Sequence, residues 1–459
     1  MVVIVKKPPV DVAFAQRRLD RGQVHGQASI VNNAEDLGES DGGEMLARPF
    51  FLKLSLATLS GQMAAIGEPV VASAVAQRFR IESIDVVRGF IMIVMALDHT
   101  RDFLGVPGVS PTDLTRTTIP LFFTRWITHF CAPVFFLLTG TGAYLSLRKK
   151  SKRELSRFLL TRGLWLVFLE VVMVRCFGWQ FNFDYHLLLL NVLWALGWAM
   201  ITLSILVYLP TSVVAAFGVV MIATHNLLDS IDSTNPIWTI LHSPNFLLNQ
   251  PGRIVFVAYA LIPWVGVTAA GYSLGQVYSW PSERRRAFLL RAGAGLTLAF
   301  LILRGINVYG DPQPWAAQKS AAFTALSFLN TTKYPPSLLF LLMTLGPALL
   351  FLWAVDRGTP PWLRPALTVG KVPLFYYLLH IPLIHLLTMA FCYAKYGHVH
   401  WMFESPTPDR FPVTPPPGWG FSLPIIYLVW AFVVLTLYPL CRWFAGLKQR
   451  SSSAWLSYF

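Results

Sequence analysis

Residues 83–102 read SIDVVRGFIMIVMALDHTRD. The centre, Gly89 to Leu97, carries no charge; Asp85 and Arg88 precede it, and Asp98, His99, Arg101 and Asp102 follow it. A stretch of about 20 residues with such a centre has the length of a bilayer crossing. Asp85, Arg88, Met92, Met95, His99 and Asp102 recur at three- and four-residue steps, so they line one face of a helix. Arg88 and His99 stand three turns apart on that face, ~16 Å along the axis. Ionisable groups are costly in lipid, so each of them is a candidate for function.

The surrounding chain repeats the apolar theme. Of 459 residues, 54% are hydrophobic and only 13% charged, where a soluble domain carries about a quarter charged residues. Spans are expected at about 85–104, 126–147, 157–178, 187–208, 211–228, 255–278, 287–306, 337–355, 370–392 and 421–444. The fold class is therefore all-α, a polytopic membrane bundle of about ten transmembrane helices. The basic run Arg148, Lys149, Lys150, Lys152, Arg153, Arg157, the run Arg284–Arg286, and Lys448 with Arg450 fall on one side under this count. The positive-inside rule then puts the N- and C-termini in the cytosol, in an integral membrane protein of the bacterial inner membrane.

Residues 1–78 differ: they are polar, with an acidic run from Glu35 to Glu44, and the apolar stretch 50–76 is broken by Lys53, Gln62 and Glu68. A disordered extension without a span is expected there, before a membrane domain over 79–459. The net charge of +14 resides in short runs between apolar segments, which argues against nucleic acid as a partner. Cys131, Cys176, Cys392 and Cys441 are scattered without ligand spacing, and no His-x-x-x-His pair appears, so no metal is expected.

Further polar residues sit where lipid would penalise them. Arg125 and His129 open the second span, ahead of Pro133 and the small residues Gly140, Thr141 and Gly142. Glu170 lies mid-span with Arg175 five residues on, as much an inter-helix clamp as a catalytic group. His380 and His385 flank Pro382 within one span, and Lys333 begins the motif Lys-Tyr-Pro-Pro-Ser ahead of another. His99, His129, His385, Arg175 and Lys333 all project to the outer half of the bundle. Histidine among charges suits general acid–base catalysis, and suits proton-coupled transport nearly as well.

Ser83 to Asp102 and Phe123 to Gly142 resemble the catalytic-domain family of heparan-alpha-glucosaminide N-acetyltransferase, within the transmembrane acyltransferases. Tyr259–Gly275, Asn330–Pro347 and Gly370–His385 add to the resemblance. The Arg88-Gly89…His99 spacing is also similar to that of the first helix in the O-acyltransferase branch. The resemblance implies acyl-CoA as co-substrate from the cytosol, no tightly bound cofactor, and a glycan or small-molecule acceptor outside. In the lysosomal enzyme the catalytic histidine lies in the first luminal loop; here the loop 106–125 has none, and His129 takes the place of an aspartate four residues before Pro133. His99 is thus the expected base, oriented by Asp98 or Asp102, with His129 as the alternative. Arg88 is expected at the CoA phosphates, and Arg125, Glu170, Arg175, Lys333, His380 and His385 as further binding residues. The rival expectation is a proton-coupled transporter or flippase of envelope precursors, and a third is a non-catalytic envelope protein.

Overall fold

The computed structural model describes residues 81–459 apart from positions 232, 234, 452, 454, 455 and 457–459. The expected extension over 1–78 lies outside the described residues.

The chain runs through α1 (Glu82–Leu104), α2 (Ile119–Thr128), α3 (Cys131–Ser146) and α4 (Lys152–Phe168), which continues as a π-helical segment, Leu169–Trp179. After β1 (Leu187–Leu190) come α5 (Val192–Leu206), α6 (Thr211–Thr224) and the short α7 (Pro236–Leu241). Strands β2 (Phe246–Gln250) and β3 (Arg253–Val257) precede α8 (Leu261–Val277), α9 (Ser282–Ile306) and α10 (Ala321–Leu329). The last elements are α11 (Leu338–Val355), α12 (Arg364–Gly370), α13 (Pro373–Tyr396) and α14 (Leu423–Arg450).

Helices occupy all ten expected segments, but among the described residues six stretches are long and apolar enough to cross a membrane: 119–146, 211–228, 282–306, 338–355, 373–396 and 423–450. The others fall short for separate reasons. Glu82, Asp85, Arg88, Asp98, Arg101 and Asp102 put too much charge on α1, whereas α5 has 15 residues and α8 has 17. The expected single helix over 157–178 changes to π geometry at Leu169.

The outer helices are apolar on the outside. Leu298, Leu301 and Ile302 of α9, and Leu428, Phe432 and Leu435 of α14, are exposed side by side. A water-soluble surface does not carry such belts, whereas hydrocarbon accepts them at no cost. This is an integral membrane protein.

Helix α1 occupies the middle, packed by α2, α3, α11, α12, α13 and α14. Its contact with α12 depends on two glycines. A Cβ on Gly89 would come within 1.8 Å of the Ala366 carbonyl oxygen, and one on Gly370 within 1.7 Å of the Asp85 carbonyl oxygen. The backbones touch directly, so no larger residue fits either position. The expected second span is two helices. Pro133 has no N–H to give the carbonyl of His129, and the chain resets at His129–Phe130 between α2 and α3.

The expectation of a purely helical fold needs one correction. Residues 187–190 and 253–257, placed within or beside spans by their apolar character, are strands in a three-stranded sheet ordered β1-β3-β2. Short apolar runs do not distinguish strand from helix. β1 pairs parallel with β3, Leu187 opposite Ile254, and β2 pairs antiparallel with β3, with an irregularity between Phe246 and Leu248.

Candidate active site

Beyond its uncharged middle, α1 ends in a buried charge network. The Arg101 guanidinium donates to Asp98 at 2.7 Å and to Asp102 at 2.6 Å, and Arg125 of α2 donates to the other oxygen of Asp98. Asp98 thus lies between two cations, which is what a buried carboxylate requires to stay ionised. Pairs three apart on one helix meet naturally.

His99, next along the helix, points elsewhere. Its ring meets the Trp179 edge at a centroid distance of 4.8 Å and His380 at 5.1 Å. Among the described residues its buried Nδ1 has no hydrogen-bond partner. The expected orientation of His99 by Asp98 or Asp102 is therefore not what the structure shows: both carboxylates hold arginines. Adjacent residues on a helix project about 100° apart, which separates Asp98 from His99. The polar group beside His99 is His380, reached from α13. The Nδ1 of His380 is 3.1 Å from the Tyr376 carbonyl, and its buried Nε2 has no partner among the described residues.

A cavity of about 480 Å³ opens over this end of α1. Asp98, His99, Asp102, Arg125 and Lys333 line it, all anticipated from the sequence. Met95, Cys131, Ala132 and Phe135 also line it, and next to them Met92 and Phe136 are fully buried. The sheet contributes Leu189 and Phe256, and the proline-rich loop contributes Asp409, Arg410 and Phe411.

Lys333 and Tyr334 reach the cavity on a turn that is itself anchored. Asp311 accepts hydrogen bonds from the Thr332 amide at 2.8 Å, the Thr332 hydroxyl at 2.9 Å and the Ser337 hydroxyl at 2.7 Å. Arg304 braces the preceding loop by donating to the carbonyls of Gln313, Ser327, Phe328 and Asn330. Lys333 Nζ lies 5.1 Å from the centre of the Tyr334 ring. Burial alone would raise the Tyr334 pKa, but the charges of Lys333 and Arg125 outweigh it and hold this phenol below its ordinary value.

The other anticipated residues stand away from the cavity. His129 is buried behind the wall with its ring 5.4 Å from Phe340, and its Nδ1 has no partner among the described residues. Glu170 accepts from the Leu193 amide at 2.8 Å and so binds the N-terminus of α5, where a carboxylate meets free amides and the positive end of the helix dipole. Arg175 donates to Leu187 O, to Asn182, to Asp184 at 3.0 Å and to Ser405 at 3.1 Å, tying two loops together. Burial would raise Asp184, yet the Ser405 hydroxyl, the His186 amide and the charges of His186 and Arg175 keep its carboxyl below the usual range. His385 lies between the carbonyls of Gly178 at 3.0 Å and Met402 at 2.9 Å, a staple between elements. Arg88 is at the far end of α1, 3.1 Å from Asp85.

Residues 80–308 match the family described as heparan-alpha-glucosaminide N-acetyltransferase, catalytic. Residues 80–308 belong to this family. No curated protein matches the chain. The domain points to a transmembrane acetyltransferase-like function. Its matched segment supplies α1 to α9, with Asp98, His99, Arg125 and Tyr259 at the cavity, while Lys333, Tyr334 and Arg410 come from beyond it. Tyr259, Tyr334 and Trp179 were not expected at the site, whereas Arg410 belongs to the proline-rich loop Pro406–Pro417, which was expected to form a rim over the acceptor. Of those three, Tyr334 alone had a local signal, its place beside Lys333.

Proposed function

We propose that this protein is a membrane acyltransferase that moves an acyl group, most simply acetyl, from cytosolic acyl-CoA to a glycan or similar acceptor held in the His99 cavity on the outer side. The observation that supports it most is His99 itself, an imidazole with no carboxylate partner on the wall of a cavity that also holds Lys333, Arg125 and Tyr334.

In this reading the acceptor hydroxyl or amine gives its proton to His99 as it attacks the thioester carbonyl. An O–C or N–C bond forms, the carbonyl oxygen becomes an oxyanion beside Lys333 and Arg125, and the C–S bond then breaks. The proton passes from His99 to the departing CoA sulfur. His380 is a positioning residue behind His99. Donor arriving from the Arg88 end must pass the buried Met92 and Met95 to reach His99.

The test uses vesicles of one orientation containing the purified full chain. Acetyl-CoA outside on the Arg88 face, with pooled envelope glycans inside, should release CoA and give acylated glycan only in the lumen. A cysteine in place of exposed Ser151 should face the donor, and one in place of exposed Ser320 the acceptor. Glycan crossing the membrane without donor and without CoA release would overturn the acyltransferase in favour of a transporter.

A further inference from the structure

Outside the cavity, two residues of one turn and a third from the end of α7 converge. His225 begins the 3-10 turn that follows α6, Asp229 ends it, and His242 caps α7. One ligand-type atom from each lies within 4.8 Å of the other two. We propose that His225, Asp229 and His242 form a binding site for a divalent transition-metal ion of the zinc type, with a further coordination position open to water. The proposal is independent of the acyltransferase reading.

The histidines carry the argument. Both are 1% exposed. Among the described residues neither ring nitrogen of His225 makes a well-formed hydrogen bond, although the Pro336 backbone lies close enough to act on the ring, and Nδ1 of His242 has no partner. The His242 Nε2 lies 3.0 Å from the His225 carbonyl and 3.5 Å from Asp229 Oδ1. A buried imidazole nitrogen without a partner is unfavourable, and a metal supplies the missing partner by taking its lone pair. Two imidazoles and a carboxylate select zinc, cobalt or nickel over calcium and magnesium, which favour oxygen ligands throughout. Tetrahedral zinc with bonds of ~2.0 Å separates its ligand atoms by ~3.3 Å, so the widest separation, up to 4.8 Å, must close by as much as ~1.5 Å, through side-chain torsions.

The surroundings provide the orienting contacts that such sites use. Asn226 donates to Asp229 Oδ2 at 2.8 Å, and Trp238 stacks on His242 at 5.0 Å. The same Asn226 accepts from the Leu338 amide at 2.8 Å, where α11 begins just after the Lys333–Ser337 turn. Two residues past His242, Pro244 lines the cavity. A metal here would join α6 and α7 and fix two walls of the cavity. Sequence spacing hid the site, because residues 225 and 242 approach only once the chain has turned through α7.

The experiment uses the full chain purified without a polyhistidine tag and stripped with chelator. Cobalt(II) should bind at one equivalent with the strong visible bands of a four-coordinate site, zinc should displace it, and zinc should raise the melting temperature. His225→Gln and His242→Gln should abolish the bands, and Asp229→Asn should weaken cobalt binding about tenfold or more. His186→Gln, an exposed histidine elsewhere, and His99→Gln, in the cavity, should retain them. Wild-type protein that gives no visible bands and no zinc-dependent melting shift would overturn the site without reference to any variant. Bands of unchanged strength in His225→Gln or His242→Gln would also overturn it.

Discussion

The two ends of α1 carry the same kinds of residue in different settings. At one end Asp85 and Arg88 form a pair 3.1 Å apart beside the glycine contact with α12, and neither lines the cavity. At the other, Asp98 is held by Arg101 and Arg125, and His99 stands apart from both carboxylates on the cavity wall. By periodicity Asp85, Arg88, His99 and Asp102 share one helical face, with Asp98 about 100° from His99. Its two ends differ in what packs against them. Close backbone contact fills the space at Gly89, whereas loops arch over His99 and leave it open.

The largest expected effect separates the ends by stability. Asp98→Ala would leave the buried Arg125 guanidinium without its carboxylate and Arg101 with Asp102 alone, and losing one partner of such a buried network costs about 3–5 kcal/mol. Detergent-solubilised Asp98→Ala protein should melt well below wild type or fail to purify as a folded species. Asp85→Ala removes one partner of an arginine whose side chain is 19% exposed and can turn toward water or lipid phosphate, so about 1 kcal/mol or less is expected. Equal losses at the two positions would erase the distinction between a network and a pair.

Next comes chemistry. His99→Gln should keep the fold, since it adds no charge, and reduce acyl transfer by about 10²-fold or more, the scale of a lost general base. His129→Gln should leave transfer within a few-fold of wild type, because that ring is packed on Phe340 behind the wall. Measuring CoA release for both decides between them. A large loss at His129 with none at His99 would move the reaction centre out of the cavity.

Much of this was legible before any coordinates. The membrane bundle follows from apolar length, and Asp98, His99, Asp102, Arg125 and Lys333 follow from charge placed where lipid forbids it; all five meet at one cavity. What sequence could not supply was partnership. Glu170, Arg175 and His385 gave the same signal, a polar group in an apolar stretch, and each satisfies backbone groups instead. The sheet was invisible because four leucines in a row suit either a strand or a helix. The Tyr334 phenol and the His225–Asp229–His242 cluster depend on turns that bring distant residues together.

A smaller effect is expected at the Arg88 end. Arg88→Gln should raise the KM for acetyl-CoA by about tenfold or less while kcat changes little, if the guanidinium meets donor phosphates before the chemical step. The Asp85 carboxylate competes for Arg88, which keeps the gain from phosphate modest. A fall in kcat with KM unchanged would instead tie Arg88 to the His99 chemistry ~16 Å away and make the two ends a single unit.

The smallest effect compares the polar segments beyond the two ends. Asp184 accepts from Ser405 at 2.7 Å and pairs with Arg175 in the loops near the cavity, while Glu154 caps α4 through the Ser151 amide at 2.8 Å and its hydroxyl at 2.9 Å. Both carboxyls are held below their ordinary values. For Glu154 the amide and hydroxyl of Ser151 are the causes, and for Asp184 the Ser405 hydrogen bond, the His186 amide and the His186 and Arg175 charges overcome burial. A depressed folded pKa gives stability that is fully present above the unfolded carboxylate range and is lost as pH falls through the folded value. The melting difference between wild type and Asp184→Asn should therefore be constant from neutral pH to about pH 5 and shrink below about pH 4. Glu154→Gln should behave the same way but with a smaller difference throughout, because Glu154 is fully exposed while Asp184 bridges two loops. Cavity occupancy provides the sharper readout. Releasing Asp184 frees the loop at Ser405, three residues before the cavity-lining Pro408, so acceptor KM should rise with acid in wild type and be raised at all pH values in Asp184→Asn. Glu154→Gln should leave acceptor KM unchanged, and an acid-dependent KM that persists in Asp184→Asn would assign the pH response to another group at the His99 end.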